Sequence, residues 1–257
     1  MHDECRIDWN RLALAWDLFE SRGLTPSLIT QHVGSLRPPI AVIGCGRGLL
    51  LEQIGTLYAP EDVTGFDASP EMVRLAQLRG HKNVRLVDAS HPLPADFTAS
   101  AVVVATGVLD PLEDLEIQRL LRLIRSCMHI DGTLLLTAFC QRNAMRELVR
   151  EANAEHPLGI VWHRVIDWSQ AHAADPRAAP IQAWLEEIAS RRNCGLPAAS
   201  EWLKAVLPPV RRLFDTAALS ALTAIAGFEI HSAQEHDDAG VVVVRAVPAG
   251  GKNACDD

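Results

Sequence analysis

Basic residues are a minority in this sequence of 257 residues, in which 24 lysines and arginines stand against 32 aspartates and glutamates. The formal charge is −8, and the basic residues are scattered along the chain. Proteins that bind nucleic acids neutralise phosphates with a basic face, so this charge argues against a nucleic-acid partner. Hydrophobic runs long enough to cross a bilayer are also missing. The first residues are acidic where a secretory signal would be basic, so we expect a cytoplasmic protein that does not attach to membranes.

Cysteine pairs with the spacing of metal ligands are absent too. The six cysteines are dispersed, and none forms a C-x-x-C pair. Because zinc sites need ligands clustered at set spacings, we predict no metal site and mostly reduced thiols. A hydrophobic fraction of 48% excludes a disordered chain, and the length suits one domain or one domain with a large insertion.

Short apolar runs alternate with helical patterns, which predicts an α/β fold with a parallel sheet. The predicted strands cover residues 40–43, 63–66, 84–87, 101–105, 133–139, 228–230 and 241–247. The predicted helices cover 8–34, 49–57, 112–128 and 214–226, and a further helix opens at Pro70. Ser69 and Asp215 are placed as N-caps, and Asp131-Gly132 predicts a turn. Residues 141–212 show helical stretches but no clear pair of strands.

Three glycines at alternate positions follow the first predicted strand, in the segment Gly44-Cys45-Gly46-Arg47-Gly48. Glycines let a backbone turn tightly and approach a ligand, and a following helix offers free N–H groups. A structural turn needs only one glycine, so the pattern indicates a ligand-binding loop. The spacing differs from the dinucleotide fingerprint G-x-G-x-x-G, because Leu49 stands where its third glycine would be.

The next two predicted strands end at aspartates, Asp67 and Asp88. An acid at a strand end is often a helix cap or a turn former. Asp67, however, lies about 20 residues after the glycine loop, and this position relative to the loop favours a functional role.

The sequence resembles the class I S-adenosylmethionine-dependent methyltransferases, whose cofactor loop has the form G-x-G-x-G after an apolar strand. Asp67 resembles the family's ribose-binding acid, and Asp88-Ala89 resembles its adenine-edge motif. Thr106-Gly107 lies where the family lines the methionine end of the cofactor, and Gly227-Phe228 resembles the start of its sixth strand. The resemblance covers about 40–139 and 213–247. It implies S-adenosylmethionine as cofactor and S-adenosylhomocysteine as product. The cofactor-binding residues that it implies are Gly44, Cys45, Gly46, Gly48, Asp67, Ala68, Met72, Asp88, Ala89, Thr106 and Gly107.

The same resemblance implies a Rossmann-like fold, with a seven-stranded, mostly parallel sheet flanked by helices. It further implies an N-terminal helical lid over 1–38, a cofactor-binding core over 39–140 and 213–247, and a helical substrate cap over 141–212. We expect residues 248–257, which are rich in small and polar residues, to form a flexible tail.

The glycine loop departs from the family pattern in two places. The family often has an acid two positions before the first glycine, and that position is Val42 here. Either another acid, such as Glu52 or Asp110, substitutes for it, or cofactor affinity is reduced. Arg47 also replaces the usual small residue of the loop.

The insertion 141–212 holds four of the six tryptophans and is the expected site of substrate specificity. Aromatic walls suit a flat or cationic substrate, so we predict Trp16, Trp162 and Trp168 as substrate-binding residues. The alternative is that the four tryptophans of the insertion form its own core, and Trp184 and Trp202 fit that alternative better because they lie in regular helical patterns.

A general base is needed only if the accepting atom is protonated at the working pH. His163 is the first candidate, because the pKa range of histidine suits the role, and Asp110 is the second. The stretch after the fourth strand lacks the N-P-P-Y pattern of nucleic-acid amino-methyltransferases and resembles the small-molecule branch.

The sequence therefore predicts a methyltransferase that moves a methyl group by in-line displacement to an O, N or C atom of a small molecule. We expect an aromatic or heterocyclic acceptor, a role in secondary metabolism, and a monomer or homodimer. The alternatives are an RNA or protein methyltransferase, a non-catalytic S-adenosylhomocysteine-binding module, and a nicotinamide-dependent oxidoreductase, which the glycine spacing disfavours.

Overall fold

A computed structural model describes residues 10, 13, 26–87, 94, 97–140, 159–207, 210–236 and 240–250, with the backbone alone at 26, 29, 159–161 and 210–212. Trp16, Asp88 and Ala89 lie outside the described residues, as does most of the helix predicted before Pro26. Within the described parts, no helix combines the length and apolarity needed to cross a membrane.

Seven strands form one mixed sheet and two short strands form a second one. The strands are β1 Ile40–Ile43, β2 Val63–Asp67, β3 Val84–Leu86, β4 Ala99–Val104, β5 Met128–Phe139, β6 Gly159–Val161, β7 Val210–Arg212, β8 Phe228–His236 and β9 Val241–Pro248. The large sheet has the order β3-β2-β1-β4-β5-β9-β8, in which the pairs β5–β9 and β9–β8 are antiparallel and the other pairs are parallel. The predicted seven-stranded, mostly parallel sheet is therefore confirmed.

Eight α-helices connect or follow these strands in the described residues. They are α1 Pro26–Val33, α2 Leu49–Ile54, α3 Pro70–Leu78, α4 Asp114–Ser126, α5 Trp162–Ala171, α6 Ala179–Arg192, α7 Leu196–Val206 and α8 Thr216–Ile225. Two short 3-10 helices cover Pro60–Asp62 and Pro176–Ala178. Both predicted N-caps are present, because Ser69 Oγ accepts from Met72 N at 3.1 Å and Asp215 accepts from Ala218 N at 2.7 Å.

Helices cover both faces of the large sheet, which explains why β1 is apolar at every position. Ala41 and Ile43 face one hydrophobic cluster, into which α4 and α8 insert apolar side chains. Ile40 and Val42 face a second cluster on the opposite side, which α1, α2 and α3 complete. Helix α1 lies within the segment 1–38 that the sequence predicts as a lid, yet its Leu28 and Val33 are part of this packing.

The chain divides into two compact units. The core unit comprises 22–140 and 214–257, and the helical unit comprises 1–21 and 141–213. Within the helical unit, α5, α6 and α7 pack around a third hydrophobic cluster that contains Trp162, Trp184 and Leu203. The strand pair β6–β7 joins residues from the two ends of the insertion.

Two sequence predictions are wrong. Asp131 and Gly132 do not form a turn but lie inside β5, in an irregular stretch where Ala99 pairs with Met128 and Ala101 already pairs with Thr133. A side chain at Gly132 would lie 2.8 Å from the His129 carbonyl oxygen, so the glycine serves a close backbone approach. The insertion does contain a strand pair, whose three-residue strands are too short to show an alternating pattern.

Candidate functional site

The glycine loop lies at the carboxyl end of β1 and closes against the end of β2. Gly44, Gly46 and Gly48 have φ angles of 70°, 54° and 89°, in the region that favours glycine. The N–H groups of Gly44 and Cys45 both donate to the Phe66 carbonyl oxygen, at 2.7 and 3.1 Å. Ligands in open α/β sheets bind at this edge, so the loop is formed in the expected place.

Two of these glycines also allow neighbouring side chains to pack closely. A Cβ at Gly44 would overlap Val108 Cγ2, and a Cβ at Gly48 would overlap the ring of His81. Val108, which follows β4, and His81, which follows α3, therefore both pack against the glycine loop.

Asp67 joins the end of β2 to the glycine loop. Its Oδ2 accepts a hydrogen bond from Gly46 N at 2.8 Å, and its Oδ1 accepts from Ser69 N at 2.9 Å. Burial raises the pKa of Asp67, while hydrogen bonds from the backbone of Ser69, Gly46 and Ala68 oppose the rise. Because an ionised carboxylate offers about four lone-pair sites, Asp67 keeps capacity for further donors.

Cys45 and Met72 are buried, in contrast to the exposed Ala68. The Cys45 sulfur lies 2.9 Å from where a Cβ of Gly65 would be, so the thiol points into the sheet packing. Burial is the main cause that raises the pKa of this thiol, and the nearby Asp67 adds to it. Cys45 is therefore a packing residue through its side chain, and its backbone alone belongs to the loop.

The loop that follows β4, residues 105–110, lies next to the glycine loop, and we name it the β4 loop. Ala105 N donates to Ile43 O at 3.0 Å, and Gly107 turns the chain with a φ of 96°. Since β2, β1 and β4 are neighbours in the sheet, Asp67, the glycine loop and Thr106-Gly107 meet at one edge.

Residues 40–132 match the family model described as "Methyltransferase domain". Rv1506c of Mycobacterium tuberculosis (strain ATCC 25618 / H37Rv), whose name classes it provisionally as a methyltransferase, is 35% identical over 96 residues. That match covers 36% of this chain and 51% of the relative, so the chain spans about half the length of the curated relative it matches.

Solved structures share the fold over most of the chain. The DhpI–SAH complex has a TM-score of 0.57 at 14% identity and covers 94% of this chain and 94% of that chain. The mitomycin 7-O-methyltransferase MmcR has a TM-score of 0.51 at 17% identity, covering 94% of this chain and 56% of that chain. Over residues 40–132 the chain is thus similar to a methyltransferase domain, and these residues contain the glycine loop and Asp67.

The segment that matches the family model has no acid at the position two residues before its first glycine. Val42 is fully buried there, in the cluster formed with α1, α2 and α3. Of the two predicted substitutes, Glu52 is exposed on α2 and Asp110 is fully buried at the end of the β4 loop. Asp110 Oδ1 accepts from Phe139 N at 3.1 Å. This contact favours a structural role for Asp110 over the role of general base that the sequence predicts.

The remaining predicted residues lie in the helical unit. His163 is exposed on α5, and its Nε2 lies 3.1 Å from the carbonyl oxygen of Lys204. A carbonyl only accepts, so Nε2 carries the proton of this bond and Nδ1 holds the lone pair of the neutral ring. Trp162 is 2% exposed and packs on Trp184 with ring centroids 5.8 Å apart. Its burial favours the alternative that it forms the unit's own core.

Trp168 is half-buried and makes two polar contacts with its ring. It stacks on His172 with centroids 4.6 Å apart, and the Arg177 guanidinium lies 5.2 Å from the ring centroid. Asp175 accepts hydrogen bonds from Arg177, which lower the pKa of Asp175 to about 2. Of the two predicted substrate-binding tryptophans that the structure describes, Trp162 is buried and Trp168 is partly exposed.

Sequence reasoning missed the residues that support the site. Val108 and His81 pack against glycines of the loop. The sequence predicts Asp110 as a base or a substitute acid, but not its contact with the backbone of β5. The glycines indicate that another group packs closely against the backbone, but no sequence pattern identifies which residue provides that group.

Proposed function

We propose that the protein is an S-adenosylmethionine-dependent methyltransferase. It transfers a methyl group by in-line displacement to an O, N or C atom of a small aromatic or heterocyclic molecule, in secondary metabolism. The observation that carries the proposal is the glycine loop after β1, joined by the Gly46–Asp67 hydrogen bond to the acid at the end of β2.

The residues at this edge fit the proposed cofactor by their donors and acceptors. Asp67 is oriented by the backbone N–H groups of Gly46 and Ser69, and we propose that its carboxylate also accepts from a ribose hydroxyl. Positive φ angles at the three glycines bring backbone, without side chains, to the ligand side of the sheet. Ala68, Met72 and Thr106-Gly107 complete the described part of the proposed cofactor site, and Asp88 and Ala89 are proposed by sequence alone.

The cofactor supplies an electrophilic methyl group on its sulfonium. The chain's own residues have the tasks of binding and orientation, because methyl transfer depends largely on near-attack geometry. His163 is the proposed base, and the neutral ring would take the proton of the accepting atom on Nδ1 while Lys204 O holds Nε2.

The acceptor class follows from charge and from the aromatic residues of the helical unit. A formal charge of −8 without a basic cluster in the sequence is unfavourable for an RNA acceptor. Trp168, flanked by His172 and Arg177, offers a polar-edged aromatic surface that suits a flat molecule, and we propose that it contacts the acceptor. The mitomycin 7-O-methyltransferase, a structure with the same fold, is named for a small-molecule acceptor.

The test begins with native mass spectrometry of the full chain, incubated in parallel with S-adenosylhomocysteine and with NAD. We expect a one-to-one adduct with the first compound and none with the second. The Asp67→Asn variant should lose the adduct, while Glu61→Gln, a change at an exposed acid before β2, should keep it. An adduct with NAD and none with S-adenosylhomocysteine would overturn the proposal.

Methyl transfer is then measured with radiolabelled S-adenosylmethionine against a panel of small aromatic acceptors, with tRNA and a protein mixture as separate arms. His163→Ala should lower turnover far more than cofactor affinity, and His129→Ala, at an exposed histidine of β5, should change neither. Equal turnover in the His163 variant and the wild type would exclude that histidine as the base. Binding without transfer in any arm would favour a non-catalytic module.

A further inference from the structure

The β4 loop contacts two different parts of the core unit. At Val108 it packs against Gly44, the first glycine of the cofactor loop, so closely that a side chain at Gly44 would overlap it. At Asp110, two residues later, it binds Phe139, the last residue of β5. The loop thus spans from the proposed cofactor site to the end of β5.

Phe139 lies where the chain passes from the core unit to the helical unit, and it contacts the residue at which the chain returns. Its carbonyl oxygen accepts from Phe214 N at 3.0 Å, and Phe214 is the residue at which the core unit resumes after the helical unit. The next residue, Cys140, donates from its N–H to Gly240 O at 3.0 Å. The carbonyl oxygen of Phe139 is therefore bonded to Phe214, and the N–H of Phe139 is bonded to Asp110.

Asp110 is well suited to hold this junction and poorly suited to react with a substrate. Its side chain is fully buried, and its Oδ1 is engaged by the Phe139 N–H. A carboxylate is a strong acceptor for a buried backbone N–H, and its removal leaves that N–H without the partner it had. Leu109 beside it is also fully buried, which anchors the same end of the loop in the apolar cluster under α4.

We infer that Asp110 is a positioning residue: by its hydrogen bond to Phe139 it fixes the β4 loop and so sets Val108 against the first glycine of the cofactor loop. This inference rests on the proposed function for its effect on cofactor affinity. The hydrogen bond itself, and its effect on the junction at Phe139, do not depend on that function.

The test uses two substitutions that distinguish loss of the hydrogen-bond acceptor from loss of the negative charge. Asp110→Asn keeps an oxygen that can accept from Phe139 N, whereas Asp110→Ala removes it. We expect Asp110→Ala to weaken S-adenosylhomocysteine binding by about fivefold or more in titration calorimetry, and Asp110→Asn to restore most of the wild-type affinity. Asp131→Ala, at an exposed acid of β5, is the control and should bind as the wild type does.

Amide hydrogen exchange at Phe139 and Phe214 provides the second measurement. Both amides should exchange faster in Asp110→Ala and at the wild-type rate in Asp110→Asn. If Asp110→Ala does not fold, Asp110→Ser replaces it, because its shorter side chain does not span the distance to Phe139 N. Wild-type affinity and wild-type exchange in Asp110→Ala would overturn the inference, as would equal loss of affinity in the Asn and Ala variants. If the folded wild type fails to bind S-adenosylhomocysteine, the proposed function fails, and the exchange rates still decide the role of Asp110.

Discussion

Asp67 Oδ2 accepts a hydrogen bond from Gly46 N at 2.8 Å, which joins the acid at the end of β2 to the middle glycine of the loop after β1. The two residues are 21 positions apart, yet the parallel pairing of β1 with β2 brings them together at the sheet edge. Asp67 therefore shapes the loop in addition to the ligand contact proposed for it, and substitutions there should change both stability and binding.

Asp67→Asn tests this double role. Both carboxylate oxygens accept from backbone N–H groups, so an amide must turn its NH2 group toward one of these donors. We expect the free energy of unfolding to fall by about 1–3 kcal/mol and S-adenosylhomocysteine affinity to fall by about tenfold or more. Urea unfolding and calorimetry measure the two effects, with Glu61→Gln as the control. Wild-type values for both quantities would contradict the double role.

Gly44→Ala and Gly80→Ala differ in the space available for the added methyl group. Both glycines have a positive φ, 70° and 97°, so alanine costs roughly 1–2 kcal/mol at either position. A Cβ at Gly80 meets open space, whereas a Cβ at Gly44 overlaps Val108 Cγ2. We expect Gly44→Ala to be clearly more destabilising in urea unfolding, and the added change Val108→Ala to recover part of the difference. Equal losses at Gly44 and Gly80 would mean that the contact with Val108 is unimportant.

A contact between the buried His32 and the half-buried His236 predicts loss of stability in mild acid. His32 Nε2 on α1 and His236 Nε2 on β8 lie 3.1 Å apart, and a hydrogen bond between them needs one nitrogen as donor and the other as acceptor. Burial, then His236, then Arg245 lower the pKa of His32 below its usual 6.5.

Because the unfolded chain binds a proton at His32 more readily than the folded chain does, the free energy of unfolding should fall as pH drops below 6.5. His32→Gln should flatten this slope in urea unfolding measured between neutral and mildly acidic pH. His231→Gln, at an exposed histidine on β8, should leave the slope unchanged. A slope that persists in His32→Gln would assign it to other groups.

Trp162 distinguishes a core tryptophan from a substrate contact. It is 2% exposed in the cluster of the helical unit, and no described residue accepts a hydrogen bond from its Nε1. Trp162→Ala should lower the free energy of unfolding by about 3–5 kcal/mol, while Trp162→Phe should cost much less, because it keeps most of the apolar volume and removes the N–H. Denaturation followed by circular dichroism provides the comparison, with Trp168→Phe as the half-buried control. A Trp162→Phe variant that folds normally and loses methyl transfer would instead favour the substrate contact.

Much of the sheet was predictable because strand identity depends on local patterns. The apolar run at β1, the strand–helix alternation through β5 and the caps Ser69 and Asp215 are properties of neighbouring residues. The predictions failed where a local sequence pattern is compatible with two different structures. Gly132 suggests a turn but serves a close approach inside β5, and β8 extends to His236, beyond the predicted 228–230, because an edge strand tolerates exposed polar residues.

The sequence by itself determined the alternation of strands and helices from β1 to β5, the glycine loop and the position of Asp67 after it, because periodicity and glycine conformation are short-range properties. Only the tertiary structure decided which side chains meet across the chain, such as Asp110 with Phe139 and His32 with His236. It also decided that Trp162 is buried while Trp168 keeps ring surface near solvent, although both lie on α5. Burial and pairing depend on the packing of distant elements, and a residue's own neighbours in sequence do not encode which distant group will reach it.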